Sequence, residues 1–234
     1  YAGTDEEAQR RMNHILTIQD LSCVGRCSLT VALPVLSAMG IECVVLPTQI
    51  LSTHTLFPQP VRLDLSDFAR QTLRHWQQVG LSFDGILIGY LGGENQLALA
   101  QEAVDLFRRE GCPLIVDPAM ADHGKRYSGL DEEYAADMMD LCLQADVMIP
   151  NITEAAMMAG IPYREDYDEA YIAELMEKLG GKDVVLTGVG YLPEETGILL
   201  DNAPLLDELG FEVEEFSDSR LLIRQIPMDL APED

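Results

Sequence analysis

The sequence predicts an α/β fold of three layers (αβα), with helices on both faces of a mostly parallel sheet. Three observations predict it. Short, continuous apolar runs rich in β-branched residues recur along the chain, stretches with helical apolar spacing separate them, and most helical stretches end on glycine. A strand that is apolar at every position is buried on both faces, and a parallel sheet sandwiched between helices provides that environment.

The elements follow in order. Ile15–Ile18 reads as the first strand, and Ser28 to Met39 as a helix stopped by Gly40. Cys43–Leu46 is the second strand, closed by Pro47, and a polar loop runs to about Pro60. Asp64 to Val79 is amphipathic and ends at Gly80. Gly85–Ile88, Pro113–Val116, Val147–Ile149 and Asp183–Leu186 read as further strands. The helices between them cover Glu94 to Glu110, Leu130 to Gln144, Asn151 to Ala159 and Tyr167 to Leu179. No repeat or low-complexity segment interrupts the series.

A chain of 234 residues can bury one sizeable core, or a core with a small appendage. The formal charge of −25 argues against nucleic acid or an anionic membrane as a main partner, since both are polyanions. Five cysteines with no C-x-x-C pair do not read as a disulfide framework, so a reducing, cytoplasmic setting is expected. Cys23 and Cys27 are one helical turn apart, but no further Cys or His completes a zinc set. The first eleven residues are polar and aperiodic, and are read as a leader before a domain that starts at Met12.

In open α/β sheets, ligands bind beyond the carboxyl ends of the strands. The residues there are Gln19–Ser22, Thr48–Gln49, Gly89–Tyr90, Asp117, Asn151 with Glu154, and Thr187–Gly188. Polar loops are common, so any one of these carries little weight, but the set together marks a site. Asp117 and Asp122 flank a proline turn and offer oxygen ligands suited to magnesium carrying phosphates. Asn151 with Glu154 reads equally as a capping box and as a holder of water and magnesium.

Six stretches now stand in order: Leu16–Asp20 with Val24-Gly25, Leu51–Thr55, Ile88–Gly92, Val116–Asp122, Pro150–Ala155 and Val185–Gly188. Together they resemble the landmarks of the pyridoxal/pyridoxamine kinases, ribokinase-like enzymes that phosphorylate the 5′-hydroxymethyl group of B6 vitamers with ATP and magnesium. The resemblance implies that Asp20 or Ser22 approaches the pyridine ring and its hydroxyl, without choosing between them. It places His54 and Thr55 beside the ring, with Tyr90 walling the pocket, and Tyr127 near the loop that carries Asp117 and Asp122. It assigns Asp117, Asp122 and Glu154 to magnesium and phosphates. Asn151, Thr187 and Gly188 go to the nucleotide. A homodimer is also expected. The hydroxymethylpyrimidine kinases share the fold and the phosphate chemistry, but the Ser52-Thr53-His54-Thr55 loop favours a pyridine substrate. A non-catalytic module that binds a vitamer or nucleotide is the remaining possibility.

One landmark is missing. The family continues into a Gly-Thr-Gly-Asp turn that supplies N–H donors for the transferred phosphate and the Asp that takes the acceptor's proton. No such turn follows Thr187, and Gly188-Val189-Gly190 has no Asp after it. The kinase core is therefore expected to span 12–200 and to be C-terminally incomplete, with an inactive chain as the consequence. Residues 201–234 read as an atypical tail: a short helix, a strand, a turn at Ser217–Ser219 and a second strand. About thirty of these residues are similar to part of the C-terminal domain of the mismatch-repair protein MutL, without a metal or nuclease motif.

Overall fold

The computed structural model describes residues 13–55, 57–131, 133–180 and 183–189, and the backbone of 212–217 and 220–225. Residues up to Thr187 form one unit, and those from Gly188 onward form another.

The first unit is built on a seven-stranded sheet. In chain order its elements are β1 (His14–Ser22), α1 (Leu29–Ala38), β2 (Glu42–Leu51), β3 (Arg62–Asp64), α2 (Ser66–Gln78), β4 (Gly85–Ile88), α3 (Glu94–Phe107) and β5 (Leu114–Val116). After them come β6 (Ala121–Asp122), β7 (Lys125–Arg126), α4 (Tyr134–Cys142), β8 (Val147–Met148), α5 (Ile152–Ala159), α6 (Glu169–Leu179) and β9 (Asp183–Val184). The strand order is β3-β2-β1-β4-β5-β8-β9. All neighbours are parallel except the edge pair β2–β3. The three-layer architecture expected from the apolar runs is the one found.

The core explains the runs. Leu16, Ile18, Ile86, Ile88, Leu114, Val116 and Met148 of the strands are buried against Leu73, Leu99, Ala103, Met138, Leu141, Ala155 and Leu175 of the helices. Burial continues through five successive residues of β1, as both-face coverage demands. Helix α1 is different. Val31, Leu33, Val35 and Met39 remain exposed, giving it an apolar outer face.

Four features depart from the sequence reading. Strand β2 does not stop at Pro47 but runs to Leu51. Proline has no N–H to donate to the ladder, and the irregularity falls where it stands: Gln19 pairs with Pro47, then Leu21 with Ile50. Strand β1 likewise extends past Ile18 to Ser22, with Asp20 opposite the bulge in β2. The segment after Asp117 forms a small hairpin, β6–β7, rather than a plain loop. The helix expected over 130–144 is shorter, starting at Tyr134, where the Asp131 side chain accepts from the backbone N–H groups of Glu133 and Tyr134.

In the second unit, β10 (Glu212–Ser217) and β11 (Arg220–Gln225) form an antiparallel hairpin, as the tail pattern predicts. The short helix expected before it lies outside the described residues.

Candidate active site

The bulge in β2 faces the site: Thr48 and Gln49 together stand opposite Asp20, between the pairs Gln19–Pro47 and Leu21–Ile50. At this carboxyl edge Asp20 and Ser22 are 2% and 1% exposed. The Ser22 hydroxyl donates to Asp20 Oδ2 at 2.9 Å. Asp20 Oδ1 is buried without a hydrogen-bond partner. Burial pushes the Asp20 carboxyl above its ordinary value, partly offset by the hydroxyls beside it.

Two loops close over this point. The β1–α1 loop and the loop after β2 are tied by backbone bonds from Cys23 N–H to Leu51 O and from His54 N–H to Val24 O. His54 stands edge-on to Phe57, with ring centroids 4.9 Å apart. Gly25 makes the approach feasible. Its φ is +129°, and a Cβ there would lie 2.6 Å from His54 Cδ2. Replacing Gly25 with Ala is expected to cost about 1–3 kcal/mol of stability, read as a lower urea midpoint with an unchanged slope. An unaltered midpoint would mean that the loop relaxes without strain. Gly89 lets Gln19 pack against the end of β4, since a Cβ at that position would collide with Gln19 Oε1.

The result is a cavity of about 380 Å³, lined by Asp20, Ser22, His54, Thr55, Tyr90 and Asp117 among others. All five residues assigned to the substrate therefore share one cavity. Tyr90 is buried, its hydroxyl accepts from Arg62 at 3.5 Å, and its ring lies 6.1 Å from that of Tyr127. Arg26, Cys27 and Ser28 also line the cavity. Sequence reasoning missed them because nothing in their local pattern marks a site. The usable signal was position: they lie just ahead of a helix and just past a strand.

Asp117 follows β5, open to the cavity yet recessed among protein atoms. Desolvation raises its carboxyl to about 6. Glu154 is 2% exposed and is held differently. Its Oε2 accepts from the Asn151 N–H at 2.8 Å, and its Oε1 from the Met120 and Ala121 N–H groups at 3.1 and 3.5 Å. Burial raises it to about 7 against these bonds. Asn151 completes the capping box of α5, accepting from the Thr153 and Glu154 N–H groups and donating to Ala121 O. Thr187 bridges to Asn151 through backbone bonds with Pro150 and Ile152, and Gly188 follows at φ +68°.

The expected trio of metal carboxylates does not converge. Asp122 lies on the exposed β6–β7 hairpin, where it accepts from the His123 N–H at 2.8 Å. Glu154 spends its oxygens on three backbone donors. No group of three His, Cys, Asp or Glu side chains positioned to hold a metal occurs among the described residues. Asp117 is the carboxylate whose setting fits a magnesium ion that keeps most of its waters.

Residues 33–207 match the family model described as phosphomethylpyrimidine kinase. The chain belongs to the phosphomethylpyrimidine kinase family. Similar family structures include a putative phosphomethylpyrimidine kinase from Bacteroides thetaiotaomicron, solved with pyridoxal. It is 35% identical, with a TM-score of 0.73, over 76% of this chain and 64% of that one. Pyridoxal kinase from Lactobacillus plantarum is 32% identical, with a TM-score of 0.69, over 93% and 73%. A pyridoxal kinase of Dictyostelium discoideum is 24% identical over 201 residues, 83% of this chain and 66% of that protein. The chain thus spans just under two thirds of the length of several family relatives. The family fold is the ribokinase-like one that the ordered landmarks implied. No helix among the described residues is long and apolar enough to cross a membrane.

Proposed function

We propose that this chain binds a B6 vitamer and ATP, and that the protein it represents transfers the γ-phosphoryl group to the vitamer's 5′-hydroxymethyl oxygen. The observation that carries this reading is the cavity at the carboxyl edge. It brings Asp20, Ser22, His54, Thr55, Tyr90 and Asp117 together in a space suited to one substituted heteroaromatic ring. The pyridoxal bound in the Bacteroides relative supports it.

In this reading each residue has a defined task. Asp20 and Ser22 meet the polar edge of the ring, His54 and Thr55 cover it, and Tyr90 with Tyr127 bounds it. Asp117 would hold magnesium, which would supply charge neutralisation at the phosphates. Glu154 and Asn151 keep the Met120–Ala121 backbone and the start of α5 in place around Asp117. Thr187 and Gly188 are assigned to the nucleotide phosphates. Catalysis of this kind rests on positioning and charge stabilisation rather than covalent chemistry. A cytoplasmic homodimer is part of the proposal, and the exposed apolar face of α1 supports self-association. Sedimentation of the purified chain reads that directly.

Hydroxymethylpyrimidine phosphorylation is the second reading, favoured by the description of the family. Calorimetry separates the two. Pyridoxal is expected to bind at least about tenfold more tightly than the aminopyrimidine alcohol, and the reverse order would replace the first reading with the second. In the same titrations Asp117→Asn is expected to weaken magnesium–ATP by about tenfold or more, the scale of one charge-assisted contact, with pyridoxal nearly unaffected. Equal loss of both ligands would remove Asp117 from the nucleotide subsite.

A further inference from the structure

The sequence left open whether Asp20 or Ser22 meets the ring, and the geometry now separates them. The Ser22 hydroxyl proton points to Asp20 Oδ2, which leaves Ser22 no donor for a ligand. Asp20 Oδ1 accepts no hydrogen bond although the residue is 98% buried and lines the cavity, and the Ser28 hydroxyl on the same cavity wall lowers the carboxyl together with that of Ser22. A buried carboxylate oxygen without a donor is costly, and a native site retains one where a ligand supplies the donor. Arg62 lowers it electrostatically, but its guanidinium is engaged with Tyr90 and with Ser128 O.

We propose that Asp20 is a specificity-determining residue that receives the N–H of a protonated ring nitrogen, so that the cavity selects the pyridinium form of the ring. This rests on the B6 reading above and goes beyond it by naming the ionic form of the ring and the atom that reads it. The chemistry decides which donor is taken. A 3-hydroxypyridine in water exists largely as a zwitterion, pyridinium at nitrogen and phenolate at oxygen. The phenolate has no proton to give and would repel the carboxylate, while the pyridinium N–H both donates and neutralises. Carboxylate pairing with a pyridinium nitrogen is an established device for this ring system. Charge-assisted bonds of this kind are short and strong, above all where water is excluded. The Ser22 bond fixes the carboxylate so that Oδ1, rather than Oδ2, faces the ligand.

The experiment is a double-mutant cycle by calorimetry on the full chain. The ligands are pyridoxine and its carbocyclic analogue, in which a ring C–H replaces nitrogen. The wild type is expected to prefer pyridoxine by about ten- to a hundredfold, and Asp20→Asn is expected to lose most of that preference. Undiminished preference in the variant would overturn the proposal while leaving the B6 reading intact. Failure of the wild type to bind pyridoxine at all would overturn both. A measurement without any variant guards against misfolding. The ¹⁵N resonance of ring-labelled pyridoxine bound to the wild type should stay that of a protonated nitrogen at a pH where the free vitamer has lost that proton. A deprotonated bound ring would refute the assignment.

Discussion

Residues 1–234 are expected to bind pyridoxal but to phosphorylate it at a negligible rate. The resemblance implies that a Gly-Thr-Gly-Asp turn supplies both an N–H cradle for the transferred phosphoryl group and the base, and no such turn follows Thr187 in this sequence. Loss of a placed donor costs about 10²–10³ in rate, and loss of a general base about 10²–10⁴. The two need not multiply, because residues that act as a unit are not additive, but several orders of magnitude are expected. The measurement is pyridoxal phosphate formed over time by the chain as written and by the same chain with a family-like segment after Leu200. Binding should match between the two, and turnover should appear only in the second. Robust turnover by the first would mean that a cavity carboxylate, Asp20 or Asp117, takes the proton.

The second large effect concerns Glu154. It ties the Met120–Ala121 backbone to the N-terminus of α5 through three N–H donors. Its carboxyl rises from an ordinary 4.5 to about 7, chiefly through burial and with a smaller push from Asp117. A group whose folded value exceeds its unfolded one binds its proton more tightly in the native state. Its contribution is therefore complete below about 4.5 and is lost as pH rises through about 7. That difference corresponds to about 3 kcal/mol, a large part of a typical domain's stability. Glu154→Gln cannot titrate. Between pH 5 and pH 8 the wild type should therefore lose most of that amount relative to the variant, read from urea midpoints. Parallel stability curves would show that Glu154 stays ionised in the native state across the window. The variant should also be less stable overall, because an amide cannot accept on both sides, and a buried N–H left unpaired costs about 1–3 kcal/mol.

The same residue shows why part of the site was unreadable. Asn151-Ile152-Thr153-Glu154 fits a capping box and a magnesium site equally well as a string. Only the position of Met120 and Ala121, more than thirty residues earlier, reveals where the Glu154 oxygens go. Asp117 and Asp122 look equivalent around their proline, but the β6–β7 hairpin carries Asp122 outward while β5 leaves Asp117 in the cavity. Pro47 looked like a strand end because a lost donor usually ends pairing, yet a bulge in β2 absorbed the loss and the pairing continued to Leu51.

The sequence by itself determined the α/β class, the order of its main strands and helices, and the edge of the sheet at which polar residues gather. These follow from local periodicity, glycine stops and both-face burial, which are written into neighbouring residues. It also determined Asp20, Ser22, Tyr90 and Asp117 of the cavity lining, because position after a strand is a local property, while His54 and Thr55 entered only through the family resemblance. The tertiary structure decided which of them face one another. It left Asp20 with a free oxygen, committed Ser22 and Glu154 to partners, and separated Asp122 from Asp117. Those outcomes depend on hydrogen bonds and burial between segments far apart in the chain, where the energy of a polar group is set by whatever the fold brings beside it.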